Sequence, residues 1–334
     1  MLEQRAVVAL LKAAAEPTRL RLLMLLRAGE LNVKDLTRIL GQSQPRISRH
    51  LKLMAEAGLT ERLADGSWAF FHLVEQGPRG ALLKSILDCV SADDPELIRD
   101  RNRAQAVKRE REAAAQDYFH AHAAEWDKIR SLHVTEDKVE AALSEAIGAG
   151  PFRLLVDLGT GIGRVLELLA DRYTRGVGFD INHSMLAYAR GKLEGLGLDK
   201  ASVRHGNLYD VALGDGAADA VVMHQVLHFL IEPALAVREA ARILAPGGQM
   251  VIADFAPHGM EFLRTSFAHE RLGLATAQVV QWMTESGLVP GRTRLLRPTS
   301  AEDPSKLTVT VWTATRPEAS APARPTVALK TVEA

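Results

Sequence analysis

One cysteine, Cys89, stands in 334 residues. A single thiol excludes an internal disulfide framework, a multi-cysteine zinc site and any metalloid chemistry that needs several thiolates, and it fits a reducing compartment. The expected location is the cytoplasm. No apolar run approaches the about 18 to 20 residues of a bilayer-spanning helix, because the stretch at residues 6–11 soon meets Lys12 and Glu16. Neither secretion nor membrane association is expected. Net charge is also missing, since 41 Lys and Arg offset 41 Asp and Glu. With 47% hydrophobic and 25% charged residues, the composition is that of an ordinary globular chain. At about 150 residues per domain, its length accommodates two.

What is present is unevenly spread. Between residues 17 and 54 stand Arg19, Arg21, Arg27, Lys34, Arg38, Arg46, Arg49 and Lys52 against only Glu30 and Asp35, a local charge of +6. The remainder carries −6. A basic stretch inside a neutral chain is the footprint of a nucleic-acid-binding module, with a solvated helix face as the plainer alternative.

Residues 6–15 read as a helix, and Pro17 suits the first turn of a second, whose apolar face holds Leu20, Leu23, Met24 and Leu26. Residues 33–40 form a short helix, residues 41–43 a turn and residues 44–57 another helix, with Ser43 as its N-cap. Ile47, Leu51 and Met54 repeat at helical spacing and form the buried stripe, leaving Gln44, Arg46, Ser48, Arg49 and Lys52 outward. This is a helix-turn-helix whose second helix can enter a major groove. Gln reads adenine and Arg reads guanine there, while Lys52 suits a phosphate. Residues 59–64 and 67–73 are strand-like around Asp65-Gly66, a hairpin signal, and form a wing. A helix over 82–90 follows.

The segments Glu16-Pro-Thr-Arg-Leu-Arg-Leu-Leu and Leu40-Gly-Gln-Ser-Gln-Pro-Arg-Ile-Ser-Arg-His-Leu-Lys-Leu-Met closely resemble the ArsR type of winged-helix repressor over residues 5–90. The resemblance implies double-stranded operator DNA as a partner and a homodimer formed through the first and last helices. One departure matters. Where metal-sensing members carry paired cysteines, this chain reads Glu30-Leu31-Asn32-Val33-Lys34-Asp35-Leu36. A protonated lysine repels a cation, so no metal is expected there.

Residues 96–132 read as one or two charged helices. Tyr118-Phe119 and Trp126-Asp127 add aromatic weight, as core packing or as a lid. His120 and His122 lack a third ligand and read as surface histidines.

Further on, residues 154–158 form an apolar strand that runs into Gly159-Thr160-Gly161-Ile162-Gly163, followed by a helix over 165–172. The glycines let backbone pass close to a ligand, and their G-x-G-x-G spacing with Asp157 before them departs from the dinucleotide fingerprint. A second strand ends in Asp180, 23 residues after Asp157, where a carboxylate can accept both hydroxyls of a ribose. Strands over 203–208, 219–225 and 249–254 follow, each beyond a helical segment, so the sheet is parallel, and residues 292–296 and 307–313 close it as a pair.

These motifs resemble a class I S-adenosylmethionine-dependent methyltransferase over residues 115–316. On that pattern Asp157, Gly159, Gly161 and Gly163 hold the methionine part of the cofactor, Asp180 the ribose, and Asn207 with Leu208 the adenine. Asn207 replaces the commoner aspartate. His224 and Asp254, at the ligand-facing strand ends, are the general-base candidates; His228 and the His269-Glu270 insertion are weaker ones.

The expected fold is therefore multidomain. Residues 1–92 form a winged helix-turn-helix, mostly α with a β-hairpin wing, and residues 93–132 a helical linker or lid. Residues 133–316 form an α/β Rossmann-like class I methyltransferase with a mostly parallel seven-stranded sheet, and residues 317–334, rich in Ala and Pro, a disordered tail. No Asn/Asp-Pro-Pro-Tyr/Phe segment exists to methylate a base nitrogen, and no Pro-Cys nucleophile exists to attack cytosine. The function expected is a transcription regulator that responds to S-adenosylmethionine or S-adenosylhomocysteine and methylates a small molecule. Two alternatives remain: an enzyme whose winged helix only dimerises or binds substrate, and a catalytically silent cofactor sensor.

Overall fold

The computed structural model describes residues 2–65, 68–122, 136–298 and 307–318. The N-terminal half contains α1 (Gln4–Ala14), α2 (Pro17–Leu26), β1 (Leu31–Asn32), α3 (Val33–Leu40), α4 (Gln44–Glu56), β2 (Thr60–Asp65), β3 (Trp68–Leu73) and α5 (Gly77–Asp88). Its strands form an antiparallel sheet in the order β1-β3-β2. Helix starts follow the capping chemistry. The Glu16 carboxylate accepts from Arg19 N at 2.8 Å ahead of α2, and Asn32 accepts from Asp35 N at 2.8 Å ahead of α3. Gly41 ends α3 in the left-handed region at φ 63°. Ser43 takes the N-cap backbone position of α4 without a side-chain bond. Ile47, Leu51 and Met54 are fully buried with Leu22, Leu23, Leu36 and Ile39.

Two elements differ from the sequence reading. The two-residue strand β1 is too short to leave a periodic signal, and α5 starts at Gly77, not residue 82, because Pro78 fits a first helical turn. Gly66 of the hairpin turn, residues 123–135 with Trp126 and Asp127, and the tail from residue 319 lie outside the described residues.

The linker is a single 28-residue helix, α6 (Pro95–His122). The Asp94 carboxylate caps it, accepting from Glu96 N at 2.8 Å and Leu97 N at 3.2 Å, and its interior of Ala, Arg, Glu and Gln has high helix propensity. At about 1.5 Å per residue such a helix is long enough to touch both halves.

The C-terminal half follows with α7 (Glu136–Ile147), β4 (Phe152–Leu158), α8 (Arg164–Leu168), β5 (Tyr173–Asp180), α9 (His183–Gly195), β6 (Ala201–His205), β7 (Ala218–His224), α10 (Pro233–Ile243), β8 (Leu244–Phe255), α11 (Phe262–Ser266), α12 (Thr276–Glu285), β9 (Val289–Leu296) and β10 (Val309–Thr315). The helix expected over 165–172 ends at Leu168 and tightens into a 3₁₀ turn at Ala170–Arg172. The seven strands run in the order β6-β5-β4-β7-β8-β10-β9, parallel from β6 to β8, with β10 antiparallel to both its neighbours. Alternate residues feed two cores. Val156, Val221, Met223 and Ile252 pack on one face, and Leu155, Val222, Val251 and Ala253 on the other. Burial on both faces explains the near-continuous apolar strands. Strand order reverses between β4 and β7, which opens a crevice at their carboxyl ends. No helix among the described residues is long and apolar enough to cross a membrane.

Candidate functional site

The crevice is a cavity of about 1210 Å³, counted out to its open mouth. The loop after β4 forms its floor. Gly159 N and Thr160 N donate to Phe179 O at 2.8 and 3.0 Å, which turns the chain back across β5. Gly159 has φ 78°, and a Cβ there would lie 2.3 Å from Val226 Cγ2, so only glycine keeps this cradle open. Asp157, 1% exposed, lies beneath it.

Asp180 ends β5 on the cavity wall. Its Oδ2 accepts from Gly161 N at 2.9 Å and its Oδ1 from Asn182 N at 2.8 Å. Burial pushes its pKa above the ordinary carboxylate value, while these backbone amides oppose the rise. Leu208 and Asn207 line the same cavity, the Asn207 side chain accepting from Tyr209 N at 3.0 Å. Gly161 is also on the wall, and Gly163, at φ 79°, precedes α8. An open cradle over Asp157 and a carboxylate at the neighbouring strand end suit the amino-acid and ribose parts of an adenosyl cofactor.

The two general-base candidates separate. His224 lines the cavity and is 8% exposed. Asp254 is fully buried and outside the cavity lining; its oxygens accept from Leu227 N at 2.9 Å, His228 N at 3.3 Å and Phe255 N at 2.7 Å, and one lies 2.7 Å from His228 Nδ1. The His228 carbonyl in turn accepts from Glu270 N and Arg271 N, both at 3.0 Å. Asp254 and His228 thus pin the segment that covers the cavity, and Glu270 from that segment joins its wall.

The other wall is α6, from the segment expected as a helical linker or lid. Arg111, Glu112, Ala115, Gln116 and Phe119 line the cavity. Gln116 Oε1 accepts from Asn182 Nδ2 at 3.0 Å, and Phe119 meets Phe229 edge-to-face at 4.9 Å. The signal was available as aromatic weight at Phe119, but a charged helix does not reveal its partner. Tyr209, also on the wall, is no base, because burial drives its hydroxyl to about 12.

The same helix binds the N-terminal half. Arg21 grips Asp100 with two bonds of 2.6 and 2.7 Å, and Arg103 donates to Ile39 O at 3.1 Å. Arg111 pairs with Asp35 of α3 at 2.5 Å on one side and with Glu270 on the other. Burial raises the Asp35 pKa, with Arg111 as the main opposing charge. Asn32 caps α3.

Across the molecule, Gln44, Arg46, Ser48, Arg49 and Lys52 all lie on the exposed face of α4. Of these, only Lys52 has an ion pair among the described residues, with Glu56 at 3.9 Å.

Residues 16–62 match the family described as bacterial regulatory protein, arsR family, and residues 156–252 match a methyltransferase domain family. Over 80 residues the chain is 41% identical to an arsenic resistance transcriptional regulator of Pseudomonas putida, covering 23% of this chain and 62% of that one. Over 134 residues it is 33% identical to a trans-aconitate 2-methyltransferase of Methylobacterium nodulans, covering 39% of this chain and 49% of that one. In each case the match spans less than two thirds of the relative. A chain from the complex of the Haloferax volcanii Trm112 methyltransferase activator with its methyltransferase partner superposes with a TM-score of 0.52 at 22% identity, over 61% of this chain and 98% of that one, which shows the fold. The chain therefore joins an ArsR-family helix-turn-helix domain to a methyltransferase domain of the class I fold.

Proposed function

We propose that this chain, an ArsR-family winged helix joined to an S-adenosylmethionine-dependent methyltransferase domain, is a DNA-binding transcription regulator whose operator affinity responds to S-adenosylmethionine or S-adenosylhomocysteine and which methylates a small molecule. The carrying observation is α6, since one rigid helix is ion-paired to α2 and α3 and also walls the cavity at Arg111, Gln116 and Phe119. A ligand shifts such a unit only through differential affinity for its two states.

In this reading the loop at Gly159, Gly161 and Gly163, over Asp157, holds the amino-acid part of the cofactor, Asp180 accepts the ribose hydroxyls, and Asn207 with Leu208 flanks the adenine. When bound, the cofactor supplies an electrophilic methyl group. The chain's part is to hold an acceptor in line against the paired rings of Phe119 and Phe229 and to exclude water, which supplies much of the rate without a protein nucleophile. His224 takes the acceptor's proton. Asp254 fixes the His228 ring and backbone under the covering segment, a positioning role. On DNA, Gln44, Arg46, Ser48 and Arg49 read bases and Lys52 meets phosphate. A homodimer through α1 is in keeping with the exposure of Val8 and Leu11 on that helix.

The test is fluorescence anisotropy on duplex DNA from upstream of the chain's own coding sequence, at saturating S-adenosylmethionine and then S-adenosylhomocysteine. The reading requires salt-sensitive, sequence-specific binding that differs between the two by at least fivefold. Equal affinities would remove the sensing part, and no specific binding would remove the regulator.

A further inference from the structure

The hairpin β2–β3 does not stand free beside the recognition helix. Its tip residue, Asp65, is held by the methyltransferase half: Asp65 Oδ1 accepts from Leu272 N at 2.9 Å, Asp65 O accepts from Arg264 Nη2 at 2.8 Å, and the same guanidinium lies 3.0 Å from Asp65 Oδ2. The Arg264 side chain is 5% exposed and the Asp65 side chain 11%, so this is a buried contact, not a surface encounter.

The next strand is covered in the same way. Arg264 stacks over the Trp68 ring at 4.3 Å and Arg111 approaches the same ring at 5.7 Å. Arg271 stacks over Phe70 at 4.7 Å while donating to Glu30 at 2.8 Å, on the loop before β1. Guanidinium groups over aromatic faces beside carboxylates are a complementary set. The backbone between these arginines is specialised: Ala268 takes φ 56°, a left-handed conformation that a residue with a Cβ adopts at a cost, and it lies in the bend that leads to Glu270 and Arg271.

The charge of the hairpin points the same way. Its described residues carry Glu61, Arg62 and Asp65, so its tip is acidic, which suits arginine and repels phosphate. From these contacts we infer that the wing of this protein is a docking arm for its own methyltransferase half and not a DNA contact. DNA is gripped by α4 alone. The wing, with Asp35 of α3, reports the position of the segment covering the cavity, because Glu270 and Arg111 line that cavity. This rests on the regulator reading for its DNA clause only; the docking clause stands without it.

Hydrogen exchange on the full chain separates the two. Asp65→Ala removes the acceptor for Leu272 N, and Arg264→Lys, which keeps the charge but loses the fork, serves if the first variant fails to fold. Either should speed exchange at the Leu272 amide at least tenfold, and unchanged exchange would overturn the docking. Adding upstream duplex DNA to the wild type should protect residues 44–56 and leave 60–65, 68–73 and 264–272 as they were. New protection across the wing, or lost protection at Leu272, contradicts the proposal. Asp65→Ala should bind DNA within twofold of wild type, whereas binding fivefold tighter would place the acidic tip against phosphate. If DNA protects nothing, α4 included, the regulator reading falls while the Leu272 result still decides the docking.

Discussion

The exposed helix α4 and the cavity at the strand ends are built on opposite principles. On α4 the residues proposed to meet DNA are all exposed and largely unpaired, and the helix is held only from behind by Ile47, Leu51 and Met54. In the cavity several polar groups are already engaged: Asp180 by two backbone amides, Arg111 by two carboxylates, Gln116 by Asn182. The first surface is free to search, and its substitutions should cost affinity without costing the fold. The second is preorganised, so its substitutions should disturb stability and binding together.

Arg111→Ala offers the hardest test of that contrast. It strands Asp35 and Glu270, and removing one partner of a buried ionic group costs about 3–5 kcal/mol. With the Arg111 side chain 15% exposed, the low end, about 3 kcal/mol, is expected in urea denaturation. Loss of any cofactor effect on DNA affinity should accompany it. Gly159→Ala comes next. The added Cβ meets Val226 at a φ of 78°, and about 2 kcal/mol, roughly thirtyfold in the dissociation constant of S-adenosylhomocysteine by calorimetry, is expected. Arg49→Ala should instead weaken operator binding by about 1–2 kcal/mol and leave the melting temperature unchanged. A melting temperature that falls with it would erase the contrast.

The smallest effect is one of pH. Asp180 has a folded pKa raised above its ordinary 3.8. Between those two values the native carboxyl holds its proton while the unfolded one has lost it. Folding stability from this group therefore increases as pH falls through the window and is lost as pH rises through it. Cofactor binding runs the other way, because a protonated Asp180 accepts ribose hydroxyls less well. Parallel thermal melts and calorimetric titrations across the window should diverge; if cofactor binding does not weaken with acid, Asp180 does not hold the ribose.

Legibility followed sequence distance. The α3–turn–α4 unit was readable because its caps, its Gly41 turn and its buried stripe all lie within about twenty residues, and the Gly159 loop because strand, glycines and Asp180 recur at short range. The closing strands were legible as a pair, but not their order, with β10 between β8 and β9. What stayed hidden was long-range. Nothing in Lys108-Arg-Glu-Arg-Glu says that Arg111 lies between Asp35 and Glu270, 76 residues back and 159 ahead. Asp254 stood at a strand end where ligands bind, yet the backbone amides of residues 227 and 228 hold its carboxylate away from the cavity. The docked wing was invisible for the same reason, since a hairpin signal carries no information about which surface the hairpin meets.

Thermodynamic reciprocity is the sharpest probe of coupling between the halves. The dissociation constant of S-adenosylmethionine should be measured by calorimetry with and without saturating operator duplex, alongside operator affinity with and without the cofactor. If the halves are coupled, both constants shift by the same factor, at least fivefold, and Arg111→Ala reduces that factor to one. A cofactor affinity indifferent to DNA would contradict that coupling and leave two independent domains on one helix.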